Sequence, residues 1–203
     1  MLNWHMFLIP ESYWEIKKTK NKGRGAFARK PIEQGTLIGD YVGKLVHLKD
    51  FDFDKEKKKL YLMFYNDELG IYPYLKKPGV HLINHSCFPN CWIIRYKDHT
   101  IIFTLKNIKK KDELTISYLL PPKTNCKPCP HKCFCRCKNC TGTLHLTESD
   151  YKKWQEFQDK EDDKNKSKTK RLADKLKPFK KYPKFVSKRL ISKIKALQKE
   201  MYG

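Results

Sequence analysis

The chain has 203 residues, enough for one domain or for one domain with an appendage. Lys and Arg number 44 against 22 Asp and Glu, a formal net charge of +22, and hydrophobic residues make up 39%. That apolar content excludes a wholly disordered chain, and no apolar run reaches the ~18 residues that cross a bilayer.

Residues 14–118 carry short β-branched and aromatic runs between turn residues. Strands are predicted at Thr36–Val42, Tyr61–Tyr65, Cys91–Tyr96, Thr100–Leu105 and Glu113–Tyr118. Glu33-Gln34-Gly35 and Lys76-Lys77-Pro78-Gly79 punctuate them, and Lys97-Asp98-His99 reads as a hairpin turn. No sustained helical period precedes residue 147, so the body is β-rich with many loops. Thr147 then stands as an N-cap with Asp150 at N3, and Tyr151, Trp154 and Phe157 follow, which predicts a short helix over 147–160. Beyond it, 161–203 holds 15 basic and 5 acidic residues. Its first part, through Lys170, reads as a solvated linker. Val186, Leu190, Ile194, Leu197 and Met201, with Ser187 as N-cap, then pattern a basic amphipathic helix. Such a helix could dock on the body, on a membrane surface or on a partner, and the charge of the tail suits nucleic acid.

Of eight cysteines, six lie between 126 and 140: Cys126, Cys129, Cys133, Cys135, Cys137 and Cys140. Their spacing is too tight for a disulfide framework. The start Met1-Leu2-Asn3-Trp4-His5 lacks the basic opening and long apolar stretch of an export signal, so reduced thiols in an intracellular protein are expected. Close-set thiolates are what tetrahedral zinc needs. Together with Cys87, Cys91 and His131, they suffice for one site or two.

Three separated segments carry further chemistry. The first is Lys22-Gly23-Arg24-Gly25-Ala26-Phe27-Ala28, followed by Gly39-Asp40-Tyr41-Val42-Gly43. The second is Leu82-Ile83-Asn84-His85-Ser86-Cys87-Phe88-Pro89-Asn90-Cys91, and the third is Asp112-Glu113-Leu114-Thr115-Ile116-Ser117-Tyr118. Gly23 and Gly25 lack Cβ atoms, so backbone there can approach a ligand. Asn84 offers both donor and acceptor, which suits an amino-acid zwitterion, and His85 has ring and backbone groups able to meet an adenine. In this order, and followed by Cys133-Phe134-Cys135 and Cys140-Thr141-Gly142, the segments resemble the SET-domain protein lysine methyltransferases with their cysteine-rich post-SET element. The resemblance covers about residues 12–145.

What the resemblance implies is specific. The fold would be mainly β: a compact SET fold of short strands in several small sheets with a pseudoknot-like crossing, plus a zinc-bound post-SET loop and C-terminal helices. Residues 1–120 would be the SET domain, 121–146 the post-SET zinc element, 147–160 a short helix, and 161–203 the Lys-rich linker and basic helix. S-adenosylmethionine (SAM) would be held by Lys22, Gly23, Arg24, Gly25, Tyr61, Asn84 and His85. Tyr118 would be the catalytic residue, with Ile116, Tyr118 and Trp154 along the substrate channel. Structural zinc would take Cys87, Cys133, Cys135 and Cys140; outside the family pattern, Cys137 stands as an alternative ligand, and Cys126 and Cys129 offer a second site completed by His131 or Cys137.

The implied reaction is direct methyl transfer to the lysine ε-amine of a protein, a histone or another basic protein among the substrates. The enzyme would be a monomer in the cytoplasm or, in a eukaryote, in the nucleus on chromatin. The alternative is a catalytically silent SET fold that binds nucleic acid or chromatin through 161–203. The chain departs from the family at His81-Leu82, where Arg-Phe is common, and at Ile116, where many members carry Phe or Tyr. The smaller Ile116 leaves room that favours higher methylation states.

Overall fold

The computed structural model describes residues 7–56, 59–96, 99–123 and 129–163. The expected tail helix at 187–201 and Cys126 lie outside them. Among the described residues the architecture is mainly β, in four small sheets.

The central sheet orders β3 (Leu37–Asp40), β9 (His99–Thr104) and β8 (Cys91–Tyr96), all antiparallel. Side chains alternate across a strand, and here both faces are covered. Cys91 and Ile102 enter the main core with Ile38, Ile83, Leu114 and Ile116, whereas Trp92, Ile94, Ile101 and Phe103 form a second cluster with Leu105. Burial on both faces explains why Ile101-Ile102-Phe103 reads as a continuous apolar run. Buried Asp40 in β3 meets His99 Nδ1 at 2.6 Å. That partner draws His99 into the strand opposite Tyr96, so β9 starts one residue before the predicted Thr100 and His99 is not part of the turn.

Two other sheets contain four strands that the sequence patterns do not mark. β1 (Trp14–Lys18) and β2 (Arg24–Ala28) form a hairpin closed at Lys18 and Arg24. β4 (Gly43–His47), β6 (Leu69–Pro73) and β5 (Met63–Phe64) form a three-stranded sheet, with a four-residue helix α1 (Phe53–Glu56) in the excursion between β4 and β5. The predicted strand 61–65 is shortened to Met63–Phe64, and Leu60 before it has a positive φ of 50°.

The last sheet positions the site. β7 (Asn84–His85) and β10 (Thr115–Ile116) pair in parallel, Thr115 opposite Asn84 and Ile116 opposite His85. The residues just before β10 turn to a different neighbour. Leu114 N–H donates to Ala26 O at 2.8 Å and Ala28 N–H to Asp112 O at 2.9 Å. The predicted strand 113–118 is therefore divided between β2 and β7, which leaves only two residues in the parallel pair. Its course between them brings all three sequence segments together.

After Tyr118 the chain enters a left-handed turn at Leu119, φ 52°, a conformation that is costly for a bulky side chain. Leu120 then bridges His145, and Leu146 N–H donates to Leu120 O at 2.9 Å, so the cysteine-rich loop folds back on the exit from Tyr118. Helix α2 (Glu148–Asp163) follows. Thr147 caps it as expected: its Oγ1 accepts from Asp150 N–H at 3.1 Å and donates to the Asp150 carboxylate at 2.6 Å.

Candidate functional site

The Gly-rich turn, the Asn-His-Ser-Cys string and the Glu-Leu-Thr string converge on one hydrogen-bonded network. Asn84 Nδ2 donates to Arg24 O at 3.1 Å and to Glu113 Oε1 at 2.8 Å. The other oxygen of Glu113 meets Lys22 Nζ at 2.5 Å, with each side chain only 19% exposed. Asn84 and the Lys22–Arg24 turn, far apart in sequence, are thus tied together by Asn84's bond to Arg24 O and by Glu113, a residue to which the sequence reading assigned no role. Gly25 sits where this network is tightest. A Cβ there would lie 2.6 Å from Asn84 Nδ2 and 2.7 Å from Glu113 Oε1. Gly23, at φ 72°, makes the turn that lets Thr19 N–H reach Gly23 O.

Asn90 closes the other end of the second segment. Its Nδ2 donates to Glu113 O at 2.8 Å, and its Oδ1 accepts from Thr115 N–H at 2.8 Å. A buried amide that uses both its ends on one neighbouring strand fixes that strand's position.

His85 lies buried between Tyr118 and the cysteines. Its Nδ1 accepts from Tyr118 N–H at 3.1 Å. That leaves the proton on Nε2, which faces Cys87 Sγ at 3.5 Å. Burial, then the positive charge of Lys22, pushes its pKa down to about 4, so the ring is neutral at ordinary pH. Both ring nitrogens are committed within the chain, and what His85 can offer a ligand is its ring face and backbone.

Tyr118 packs its ring edge-on against His85, centroids 5.5 Å apart, and its hydroxyl donates to Ile83 O at 3.3 Å. Burial, then the neighbouring Tyr61 and Glu113, raises its pKa well beyond the ordinary tyrosine value. Tyr118 is a neutral phenol, a hydrogen-bonding group and not a base. Tyr61 is held by its carbonyl, which accepts from Tyr41 Oη at 2.5 Å. Its ring lies edge-on to His81 at 5.7 Å. His81 is 6% exposed, and both its ring nitrogens are buried without a hydrogen-bond partner among the described residues. Burial, then Arg24, lowers its pKa to about 4. Ile116 is buried in β10, and Trp154 lies on α2 beside Tyr151, centroids 5.6 Å apart.

The donor sulfurs of Cys87, Cys133, Cys135 and Cys140 all lie within 4.8 Å of one another. Cys87 and Cys133 are 3.6 Å apart, against the ~3.8 Å expected across a tetrahedron with Zn–S of ~2.3 Å. Backbone N–H groups point at two of the sulfurs, Cys135 N–H at Cys133 and Gly142 N–H at Cys140, both at 3.4 Å. Such donors favour thiolates, the form in which sulfur binds metal. The donor set and its surroundings fit zinc. Cys137 is outside this group, although its Sγ is 3.5 Å from Cys135 Sγ. Cys91 is fully buried in β8, where burial pushes its thiol up to about 12. Cys129 is placed not with Cys137 but with His131 and His145.

The family model described as the SET domain matches residues 23–119. Over 146 residues, 65% of this chain, the sequence is 32% identical to a variant-silencing SET domain-containing protein of Plasmodium falciparum, of which the match covers 6%. It is 30% identical over 145 residues to the histone-lysine N-methyltransferase trithorax of Drosophila virilis, covering 66% of this chain and 4% of that protein. It is 31% identical over 139 residues to the H3 lysine-36 specific histone-lysine N-methyltransferase of Saccharomyces cerevisiae, covering 64% of this chain and 19% of that protein. The chain thus spans a small part of the length of these relatives.

Proposed function

This chain is a SET-domain protein, and from that premise we propose that it transfers methyl groups from SAM to the ε-amine of a lysine in a protein substrate, with histone tails as the first substrates to try. The observation that carries the proposal is the convergence of Lys22, Gly25, Asn84 and Glu113 beside a half-buried, neutral Tyr118. The fit to SAM rests on chemistry present at this place. Gly23 leaves open space beside its backbone, Gly25 lets Asn84 and Glu113 close against the turn, the Lys22–Glu113 pair and Asn84 bring the polar groups suited to a zwitterion together, and His81 has two buried ring nitrogens in want of a polar partner. Arg24, Gly23, Tyr61 and His85 complete the proposed binding set.

When bound, SAM supplies an electrophilic methyl group on a sulfonium. The chain's own residues must then present a neutral amine in line with it. A lysine with pKa ~10.4 costs about 4–5 kcal/mol to deprotonate at neutral pH, and a dry channel lowers that cost by disfavouring the ammonium. Tyr118 does not take the proton, because its own hydroxyl is held protonated. It is anchored through its backbone by His85 and through its hydroxyl by Ile83 O, so its oxygen is a fixed acceptor that orients an amine N–H. Ile116 bounds the channel beside it. Cys87, Cys133, Cys135 and Cys140 would hold a structural zinc, and the path from Cys87 through His85 to Tyr118 ties that zinc to the site's geometry.

Tyr118→Phe tests this reading. The lost bond to Ile83 O costs about 1 kcal/mol of stability, and cofactor affinity should be unchanged. The methyl-transfer rate should fall by about 10²–10³-fold, as for loss of one positioned hydrogen-bonding group. Full activity in the variant would remove Tyr118 from the mechanism.

A further inference from the structure

We propose that Cys129, His131 and His145 form a second zinc site, separate from the four-cysteine group. Their donor atoms lie within 4.8 Å of one another. Cys129 Sγ is 3.6 Å from His145 Nε2, and His131 Nδ1 is 3.0 Å from the same nitrogen. Tetrahedral zinc with Zn–S of ~2.3 Å and Zn–N of ~2.0–2.1 Å separates such pairs by about 3.6 Å and about 3.4 Å.

The protonation state of His145 points the same way. Its Nδ1 lies 2.5 Å from Pro121 O, a bond in which the ring must be the donor. The proton is therefore on Nδ1, and the lone pair of Nε2 faces Cys129 and His131. A ligand histidine that gives its other N–H to a backbone carbonyl is the usual arrangement around bound metal. The backbone is prepared as well: Lys132 bridges Thr143, Leu144 N–H donates to His131 O at 3.0 Å, and His145 N–H donates to Thr143 Oγ1 at 3.3 Å. These contacts place His131 and His145 side by side before any ion binds.

One thiolate and two imidazoles suit zinc, with a fourth tetrahedral position for water or a further donor. Binding replaces the Cys129 thiol proton with the metal and releases that proton to solvent. Because His145 also bridges Leu120, the ion would pin the loop 129–145 to the chain leaving Tyr118. The competing reading is a metal-free cluster in which His131 donates to His145.

Metal content of the full chain, purified with zinc and measured by native and elemental mass spectrometry, decides between them. The expected result is two zinc ions per chain, one in His145→Ala and one in His131→Ala, with two restored in His145→Cys. Cobalt-loaded Cys87→Ser should show the spectrum of a mixed nitrogen and sulfur site, a readout that needs no variant of the second cluster. One zinc per wild-type chain that survives His145→Ala, or two zinc ions that survive it, overturns the proposal.

Discussion

Gly25→Ala is the sharpest test of how the site is built. The added Cβ would stand 2.6 Å from Asn84 Nδ2 and 2.7 Å from Glu113 Oε1, and 3.1 Å from Thr19 Cγ2. Ordinary contact begins near 3.4 Å, so the two polar atoms must retreat by 3.4 − 2.6 = 0.8 Å and 3.4 − 2.7 = 0.7 Å. Neither is free to do so. They bond to each other at 2.8 Å, Glu113 is paired with Lys22, and Asn84 belongs to β7. Overpacking of this kind costs about 1–3 kcal/mol, and loss of one charge-assisted hydrogen bond adds about 1.5–3 kcal/mol. A total of about 2.5–6 kcal/mol should lower the melting temperature by roughly 5–24 °C for a chain of this size. Cofactor affinity by titration calorimetry should fall at least about 10-fold, the equivalent of ~1.4 kcal/mol. Gly23→Ala is the control: nothing lies within 4 Å of its Cβ, so only the positive φ of 72° is charged against it. That strain costs about 1–2 kcal/mol. Equal melting temperatures and affinities for Gly25→Ala and wild type would refute the packing argument.

Other outcomes follow from the same geometry. His81 has its pKa lowered from 6.5 to about 4, so the unfolded chain takes up a proton there that the folded chain refuses. Its contribution is fully present above pH 6.5 and is lost as pH falls toward 4, by about 1–2 kcal/mol between pH 7.5 and 5. In urea unfolding, His81→Leu should therefore lose less stability than wild type over that range, and parallel losses would contradict the assignment. Cys87→Ser should remove the zinc of the four-cysteine group and, by freeing His85 Nε2, reduce methyl transfer as well. Retention of that zinc, read by metal analysis, would count against Cys87 as a ligand. Zinc held by these thiols should be released as pH falls, because protons compete for sulfurs that burial already inclines toward the thiol form at Cys87 and Cys133.

Much of this was legible in the chain because the informative features are local. Strand β8 was read to the residue, since Cys91–Ile94 alternates between two cores, and Thr147 announced α2 through its own side chain. The motif strings led to Asn84, Tyr118 and the four cysteines that the structure brings together. What escaped was relational. Glu113 and Asn90 stood in the quoted strings, but their partners are Asn84, Lys22 and Thr115, and no local pattern links those positions. His145 falls in a stretch that reads as loop, and only the bridge from Leu120 brings it to His131. β1, β2, β4 and β6 were missed because their short segments lack clear alternation, and the pairing of β1 with β2 and of β4 with β6 decides their conformation. What the sequence did not show for His85 is that both its ring nitrogens face the chain itself, Nδ1 toward Tyr118 N–H and Nε2 toward Cys87 Sγ.

The most direct test of the central claim is mass spectrometry of proteins incubated with the zinc-loaded chain and isotopically labelled SAM, beginning with histones and extending to whole-cell protein. The account predicts label on lysine ε-amines, at defined sites, and nearly abolished by Tyr118→Phe. Label that is absent despite measured cofactor binding, or that persists undiminished in Tyr118→Phe, would contradict it.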